Sequence, residues 1–99
     1  MLKISYKTNS LERVCTNYLM AQRKYGERMA TLIHQRVDQL HAADSVEILV
    51  QYSIGRCHPL EGDRKGEYAM DLVHPHRLVF ERNKTDVQVV RIISIENYQ

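Results

Sequence analysis

The chain has 99 residues, of which 43% are hydrophobic and 26% are charged, and its formal net charge is +2. This composition is typical of one folded domain and excludes a disordered tail. No apolar run approaches the length of a membrane-spanning helix, and residues 1–10 lack the apolar segment of a secretory signal. We therefore predict a single domain over residues 1–99, located in the cytoplasm and not associated with a membrane.

Cysteine and histidine spacing gives no indication of a metal site. Cys15 and Cys57 are far apart and match neither a metal-ligand nor a redox motif, so we expect reduced thiols. A zinc triad of His58, His74 and His76 has no cysteine or carboxylate at a matching spacing. No glycine-rich phosphate cradle is present either. The sequence predicts no metal and no other cofactor.

The first part of the chain shows one strand pattern followed by helical patterns. Ile4 and Tyr6 alternate with polar neighbours, which suits a short edge strand. Asn9 and Glu12 form a capping-box pattern ahead of an apolar stripe that comprises Leu11, Val14, Cys15, Tyr18 and Leu19. After a break at Gly26, a second stripe comprises Met29, Ile33, Val37 and Leu40. Two packed helices, an αα-hairpin, are the predicted outcome.

The rest of the chain has the pattern of one short helix and then strands. Ser45 can start a third helix in "DSVEILVQYSIG", and Gly55 can stop it. "EYAMDLV" and "RLVFE" alternate as strands around a turn at Pro75, because proline cannot sit inside a central strand. "VQVVRIISI" is apolar on both faces in its middle, which is typical of a central strand. We predict an α+β fold, with one layer of helices on an antiparallel sheet.

Basic residues cluster around the segment "HPLEGDRKGEY", which joins the helical part to the sheet. Two glycines bracket "DRK", so the backbone can bring its cations close to a ligand. The candidate residues are Arg56, His58, Arg64, Lys65 and, on the following strand, Arg77. Together they would form an anion site with one titratable group, suited to a phosphodiester. The alternative is a solvated basic loop that Asp63 and Glu67 neutralise locally.

The stretch "RCHPLEGDRKGEYAMDLVHPHRLVFE", followed by an apolar strand ending in "IENYQ", resembles the RelE/HigB-like toxins of bacterial type II toxin–antitoxin systems. The resemblance covers essentially the whole chain. It implies a RelE-like fold, in which an N-terminal helical hairpin packs on a small curved antiparallel sheet. It also implies metal-independent cleavage of messenger RNA in the ribosomal A site, by attack of a ribose 2′-oxygen on the neighbouring phosphate.

The resemblance implies partners and residue roles as well. The partners would be the ribosome, its mRNA and a HigA-like helix-turn-helix antitoxin, with operator DNA contacted only through that antitoxin. His58 would transfer protons, and Tyr98 would stack on or orient a base. The residues implied to contact phosphate are Arg64, Lys65, Arg77 and, less directly, Arg56.

Three positions depart from the family pattern. Glu61 stands where family members commonly carry lysine, and Asn97 and Gln99 flank Tyr98 where they commonly carry aspartate and histidine. Side-chain amides do not exchange protons at neutral pH, and a positioned acid or base is worth roughly 10²–10⁴ in rate. Glu61 could act as the base with His58 as the acid. Alternatively, the ribosome could supply the geometry of the reaction. Clamping of the phosphate alone could then give useful catalysis.

Two other functions remain open at this point. One is a catalytically weakened or silent homologue that binds its antitoxin and contributes to autoregulation of the operon, for which Asn97 and Gln99 are the supporting feature. The other is a ParE-like poison of DNA gyrase, which shares the fold without ribonuclease chemistry. The basic loop and His58 argue against the gyrase hypothesis.

Overall fold

Residues 1–98, which the computed structural model describes, form four α-helices and a five-stranded sheet. The helices are α1 (Asn9–Thr16), α2 (Tyr18–Tyr25), α3 (Glu27–Ala42) and α4 (Val46–Gln51). The strands are β1 (Lys3–Tyr6), β2 (His58–Pro59), β3 (Glu67–Asp71), β4 (His76–Arg82) and β5 (Val89–Asn97). Short 3-10 turns at Ile54–Arg56 and Gly62–Arg64 lie on either side of β2. The predicted α+β class is confirmed.

The sheet order is β1-β5-β4-β3-β2, with β1 parallel to β5 and the other neighbours antiparallel. The strand predicted to be central, β5, is confirmed between β1 and β4. The expectation of a purely antiparallel sheet is wrong. A parallel pair needs a long crossover connection, and the helices together with β2–β4 supply one between β1 and β5.

The predicted two-helix hairpin is not confirmed, because its first helix is divided at Asn17. The backbone N–H of Asn17 donates to the carbonyl of Arg13 and ends α1, while its side chain accepts from the N–H of Met20 and starts α2. This side-chain cap lets the chain change direction within one residue. Tyr18 and Leu19, predicted on the buried stripe, are 38% and 61% exposed as a result.

The starts of two helices were predicted to within one residue. Helix α1 is capped by Thr8 rather than by Asn9, since the Thr8 hydroxyl accepts from the backbone one turn along. Helix α4 is confirmed as the short third helix of the prediction, and Ser45 caps it. It ends at Gln51, four residues before the predicted stop at Gly55, and a 3-10 turn covers the remainder.

The core lies between the helices and one face of the sheet. The alternation predicted for β3 and β4 is confirmed, because Met70, Leu78 and Phe80 are fully buried on this face. The ring of Tyr68 stacks on that of Phe80 with the centroids 5.5 Å apart.

No helix within residues 1–98 is both long and apolar enough to cross a membrane.

The substitution Phe80→Ala tests this core. Phe80 is fully buried beneath the helices, so the truncation should lower the free energy of unfolding by about 3–5 kcal/mol through lost burial and a residual cavity. Val87→Ala is the control, since Val87 is 66% exposed, and we expect it to change stability by less than about 0.5 kcal/mol. Urea denaturation measures both. Similar losses in the two variants would contradict this assignment of the core.

Candidate functional site

The face of the sheet away from the helices, which we call the open face, carries most of the predicted site. Cross-strand partners place their side chains on the same face, so the strand register assigns its members. They are Glu67, Ala69 and Asp71 on β3, Arg77, Val79 and Glu81 on β4, and Arg91, Ser94 and Glu96 on β5. His58 pairs with Ala69 and joins this face from β2.

A β-bulge in β5 decides which residues of that strand reach the open face. Val79 pairs with Ser94 and Phe80 pairs with Ile92, so Ile93 is the extra residue between them. Arg91 therefore shares the open face with Ser94, although strict alternation would put them on opposite faces. The bulge also brings Glu96, two residues further on, to the open face.

Glu96 is the centre of the ion-pair network on this face. Its Oε1 accepts from Arg64 Nη1 at 2.5 Å and from Arg77 Nε at 2.9 Å. Its Oε2 accepts from Arg64 Nη2 at 3.1 Å and from the hydroxyl of Ser94 at 2.9 Å. Arg77 Nη2 lies 2.8 Å from Oε1, and Arg64 Nε donates to Glu67 at 2.8 Å. Two of the predicted phosphate clamps therefore converge on one carboxylate.

These donors stabilise the ionised form of Glu96. They lower its pKa from 4.5 to about 2, with the hydrogen bond from Arg64 as the largest cause, and they outweigh the opposing effect of partial burial. The hydrogen bond to Glu96 is in turn the main cause that raises the pKa of Arg64. Both groups are therefore charged at neutral pH.

Arg56 and His58 form a second group on the β2 side of the sheet. Arg56 binds Asp71 through two hydrogen bonds, of 2.6 and 2.9 Å, which raise the pKa of the guanidinium. Its backbone has a φ of +54°, in the left-handed region that non-glycine residues seldom adopt. Nδ1 of His58 lies 2.8 Å from the carbonyl of Arg56 and must donate to it. In the neutral ring, the lone pair on Nε2 is then available to accept a proton.

Tyr98 extends the network beyond the end of β5. Its backbone N–H donates to the carbonyl of Pro75 at 3.1 Å. The guanidinium carbon of Arg77 lies 5.1 Å from the centre of its ring, and the ring of His74 meets it edge-on at 5.9 Å. One face of the Tyr98 ring is therefore covered by Arg77, which the sequence predicted to contact phosphate.

The other predicted site residues are less tied to this network. Asn97 ends β5 opposite His76 and is exposed. Lys65 and Glu61 are exposed, and their side chains form no hydrogen bond or ion pair with other residues in the range 1–98. Gln99 lies outside the described residues. The roles predicted for these four residues stay predictions.

The charges of the site balance almost completely. Three arginines are each bound by carboxylates, in the pairs Arg56–Asp71, Arg64–Glu67, Arg64–Glu96 and Arg77–Glu96. The expectation of local neutralisation by Glu67 agrees with the Arg64–Glu67 contact. Asp71 and Glu96 were missed. In the sequence, the only indication of Glu96 is its place in "IEN". Regular alternation along β5 would have predicted it on the face opposite the site.

Metal ligation finds no support in the part of the chain that the structure describes. Within residues 1–98, no group of three or more histidine, cysteine, aspartate or glutamate side chains is arranged to hold a metal ion. The triad of His58, His74 and His76 considered from sequence is not brought together. Burial raises the pKa of both cysteine thiols to about 12, so neither is a nucleophile at neutral pH.

Comparison with known proteins shows similarity in structure only. No protein-family model matches the chain, and no curated protein matches it in sequence. A YoeB/ParE toxin from Agrobacterium tumefaciens superposes with a TM-score of 0.65 at 18% identity, over 99% of this chain and 100% of that one. The YoeB–YefM complex from Staphylococcus aureus gives 0.64 at 19% identity, over 100% of this chain and 99% of that one. A YafQ mutant from E. coli gives a TM-score of 0.53 at 14% identity, over 99% of this chain and 94% of that one.

The chain therefore shares its fold with these YoeB and YafQ structures, and the predicted resemblance is confirmed at the level of the fold. The match runs over nearly the full length of each chain, so the similarity is one of the whole fold. At these identities, similarity establishes how the chain folds and not what it does. The more specific resemblance to HigB-like toxins stays a prediction.

The pH dependence of stability tests the ion-pair network. Because folding lowers the pKa of Glu96 from 4.5 to about 2, its contribution to stability is complete above pH 4.5 and is lost as the pH falls towards 2. Allowing for screening of a partly exposed group, we expect that contribution to be about 1–2 kcal/mol. In urea titrations, Glu96→Gln should be less stable at pH 7 and should lose less stability than the native protein between pH 4.5 and 2.

Asp38→Asn is the matched control for this measurement. Asp38 is exposed on α3 and has no ion pair with another residue in the range 1–98, and the substitution changes the charge by the same amount. Its unfolding should keep the native pH dependence. A Glu96→Gln variant with that same pH dependence would show that the carboxylate does not stabilise the fold.

Proposed function

We propose that this protein is the toxin of a type II toxin–antitoxin system and cleaves messenger RNA on the ribosome without a metal. The fold shared with YoeB and YafQ supports the toxin assignment. The observation that carries the proposed chemistry is the orientation of His58, whose Nδ1–H is fixed by a backbone carbonyl while Nε2 is left to accept a proton. Arg64 and Arg77 converge on a single anion on the same face.

The distances across the sheet suit a single phosphodiester. His58 lies on β2 level with Val79, and Arg77 lies on β4 two residues further along, which corresponds to about 12 Å between backbones. Side chains that reach inward from both strands can meet on one phosphate. Arg64 reaches the same region from its loop, since it binds both Glu67 on β3 and Glu96 on β5.

The proposed reaction is an internal transesterification. His58 Nε2 takes the proton of the ribose 2′-hydroxyl, and the 2′-oxygen forms a bond to phosphorus. The bond from phosphorus to the 5′-oxygen then breaks, and that oxygen leaves with a proton from an acid. The products are a 2′,3′-cyclic phosphate and a free 5′-hydroxyl. Arg64 and Arg77 stabilise the two negative charges on the phosphorus oxygens in the transition state, with Lys65 as a further cation.

The acid of this reaction does not come from the side chains that flank Tyr98. Asn97 and Gln99 carry amides and cannot supply a proton at neutral pH. One alternative gives Glu61 the role of base and His58 that of acid. The exposed Glu61 side chain is free to move towards the substrate. We propose that Tyr98 stacks on or orients a base of the RNA, which requires it to exchange its contact with Arg77.

The partners follow from the same assignment. Two of the similar structures are complexes of YoeB with YefM, one of them described as a toxin–antitoxin complex, so a toxin of this fold binds an antitoxin. We propose that this chain likewise binds an antitoxin, of the helix-turn-helix, HigA-like kind, and reaches operator DNA only through it. The ribosome and mRNA are the other proposed partners, and the cytoplasm is the proposed location.

A silent homologue is the second candidate, and two observations favour it. The tail positions hold Asn97 and Gln99 instead of proton-transferring residues. The arginines are also neutralised by carboxylates, so the free site offers little net positive charge. A protein of this kind would act through antitoxin binding and operon autoregulation alone.

Cleavage of a defined mRNA in the presence of ribosomes tests the proposed function. We expect the native protein to cut, and His58→Ala to lower the rate by about 10²–10⁴, which is the contribution of a positioned proton-transfer group. His41→Ala is the matched control, because His41 is exposed on α3, away from the open face. It should cut at the native rate. Equal rates for the native protein and His58→Ala would remove His58 from the mechanism.

An Asn97→Asp/Gln99→His double variant separates the two candidate functions. If only the double variant cuts, the native chain is a silent homologue with an intact fold. If neither cuts and expression instead causes double-strand breaks in DNA, the gyrase hypothesis replaces both.

The variant Glu61→Gln tests the alternative assignment of the base. If Glu61 takes the proton from the 2′-hydroxyl, the amide should abolish cleavage in the same ribosome assay, because it cannot accept that proton. Cleavage at the native rate would assign Glu61 no catalytic part. Asp63→Asn is the control, since it makes the same change of charge on the same loop.

A further inference from the structure

The Glu96 carboxylate occupies the place where a phosphate would bind. Arg64 directs both Nη atoms at it, Arg77 directs Nε and Nη2, and Ser94 adds a hydroxyl. A carboxylate and a phosphodiester each present two charged oxygens and one negative charge to a guanidinium. The donors that the proposed function assigns to RNA are therefore already used in the free protein.

We propose that Glu96 is an internal competitor of the RNA phosphate, which must displace it from Arg64 and Arg77 before cleavage. This inference rests on the proposed function and deepens it. Glu96 acts through the two arginines, so it is a positioning residue and not a catalytic one. It sets how tightly the site binds the ground state of the substrate.

The geometry lets the carboxylate leave without dismantling the clamp. Glu96 is 24% exposed and stands near the end of β5. Arg64 keeps its Nε bound to Glu67 at 2.8 Å, so both of its Nη atoms stay directed at the site when Glu96 moves away. Arg77 is only 18% exposed and lies within β4, which holds its backbone in place.

Competition of this kind weakens binding of the substrate and leaves the preference of the arginines for the transition state unchanged. Exchanging a singly charged carboxylate for a singly charged phosphodiester gains little electrostatic energy. The pentavalent transition state carries two negative charges and is stabilised more strongly by the same arginines. Interactions that strengthen only in the transition state raise the rate instead of tightening substrate binding. Glu96 therefore lowers the affinity for RNA, while the two arginines supply the stabilisation of the transition state.

A purely structural role for Glu96 makes the opposite prediction. If the carboxylate only fixed the loop of Arg64 to the sheet, its removal would disorder the clamp and weaken RNA binding. If it competes with phosphate, its removal strengthens RNA binding. The direction of the change in affinity separates the two roles.

The experiment measures affinity for a short single-stranded RNA with 2′-fluoro sugars, which cannot be cleaved because the attacking hydroxyl is absent. We expect Glu96→Gln to bind about tenfold more tightly than the native protein. Its affinity should also fall more steeply with salt, by about 0.7 in the logarithmic slope for each additional phosphate that the arginines neutralise. Glu96→Asp keeps the charge and should stay within about threefold of native affinity. Asp38→Asn, the charge-matched control, should stay within about twofold.

Two outcomes of the affinity measurement would overturn the inference. One is a Glu96→Gln affinity equal to or below that of the native protein. The other is the same increase in affinity for Asp38→Asn, which would assign the effect to net charge. A measurement on the native protein does not depend on any variant folding: RNA should shift the NMR signals of the Arg64 and Arg77 Nε–H groups together with the Glu96 carboxyl carbon. Arginine signals that shift while the Glu96 carboxyl signal does not would also overturn it.

Failure of this inference is distinguishable from failure of the proposed function. Binding is measured without cleavage, so an increase in affinity without any ribosome-dependent cleavage would support the competitor and remove the ribonuclease. Cleavage by the native protein with no increase in affinity would keep the ribonuclease and remove the competitor. Where both hold, Glu96→Gln should lower KM without raising kcat.

Discussion

The pairing of β4 with β5 around the bulge at Ile93 is the constraint on which the site depends. Before the bulge, β5 directs Ile92 into the core, and after it Ile95 faces the same way. If the same residues alternated strictly, without a bulge, one of these isoleucines would face away from the core and Glu96 would face the helices. Core packing and the position of the carboxylate are therefore fixed by one irregularity.

On the open face, arginines are paired with carboxylates that a phosphate could replace. Arginines outside an ion pair would repel one another in the free protein and would attract any polyanion. Here each is held by a carboxylate, at distances of 2.5–3.1 Å. Such pairs keep the guanidinium groups oriented, so a phosphate that replaces a carboxylate meets donors already in position. The proposed chemistry and the stability of the free fold use the same side chains.

The sequence predicted most of the architecture, since apolar periodicity and caps are local signals. The class, the short helix after Ser45, the central strand β5 and the inward faces of β3 and β4 were all predicted correctly. The division at Asn17 was missed because an asparagine that caps a new helix is hard to distinguish from one within a helix. Glu96 was missed because a one-residue bulge reverses the alternation, and nothing in a run of apolar residues marks where it falls.

The parallel pairing of β1 with β5 also ties the order of assembly to the order of the chain. Lys3 pairs with Val89. Within residues 1–98, β1 therefore pairs only with β5, which is the last strand of the sheet in chain order. As a nascent chain emerges, β1 and the β2–β4 ribbon stay two separate pieces until β5 inserts between them, and long-range pairing of this kind is slow. Arg64 and Arg77 are therefore synthesised before Glu96, the carboxylate that they share. Their ion pairs with Glu96 form only when β5 completes the sheet.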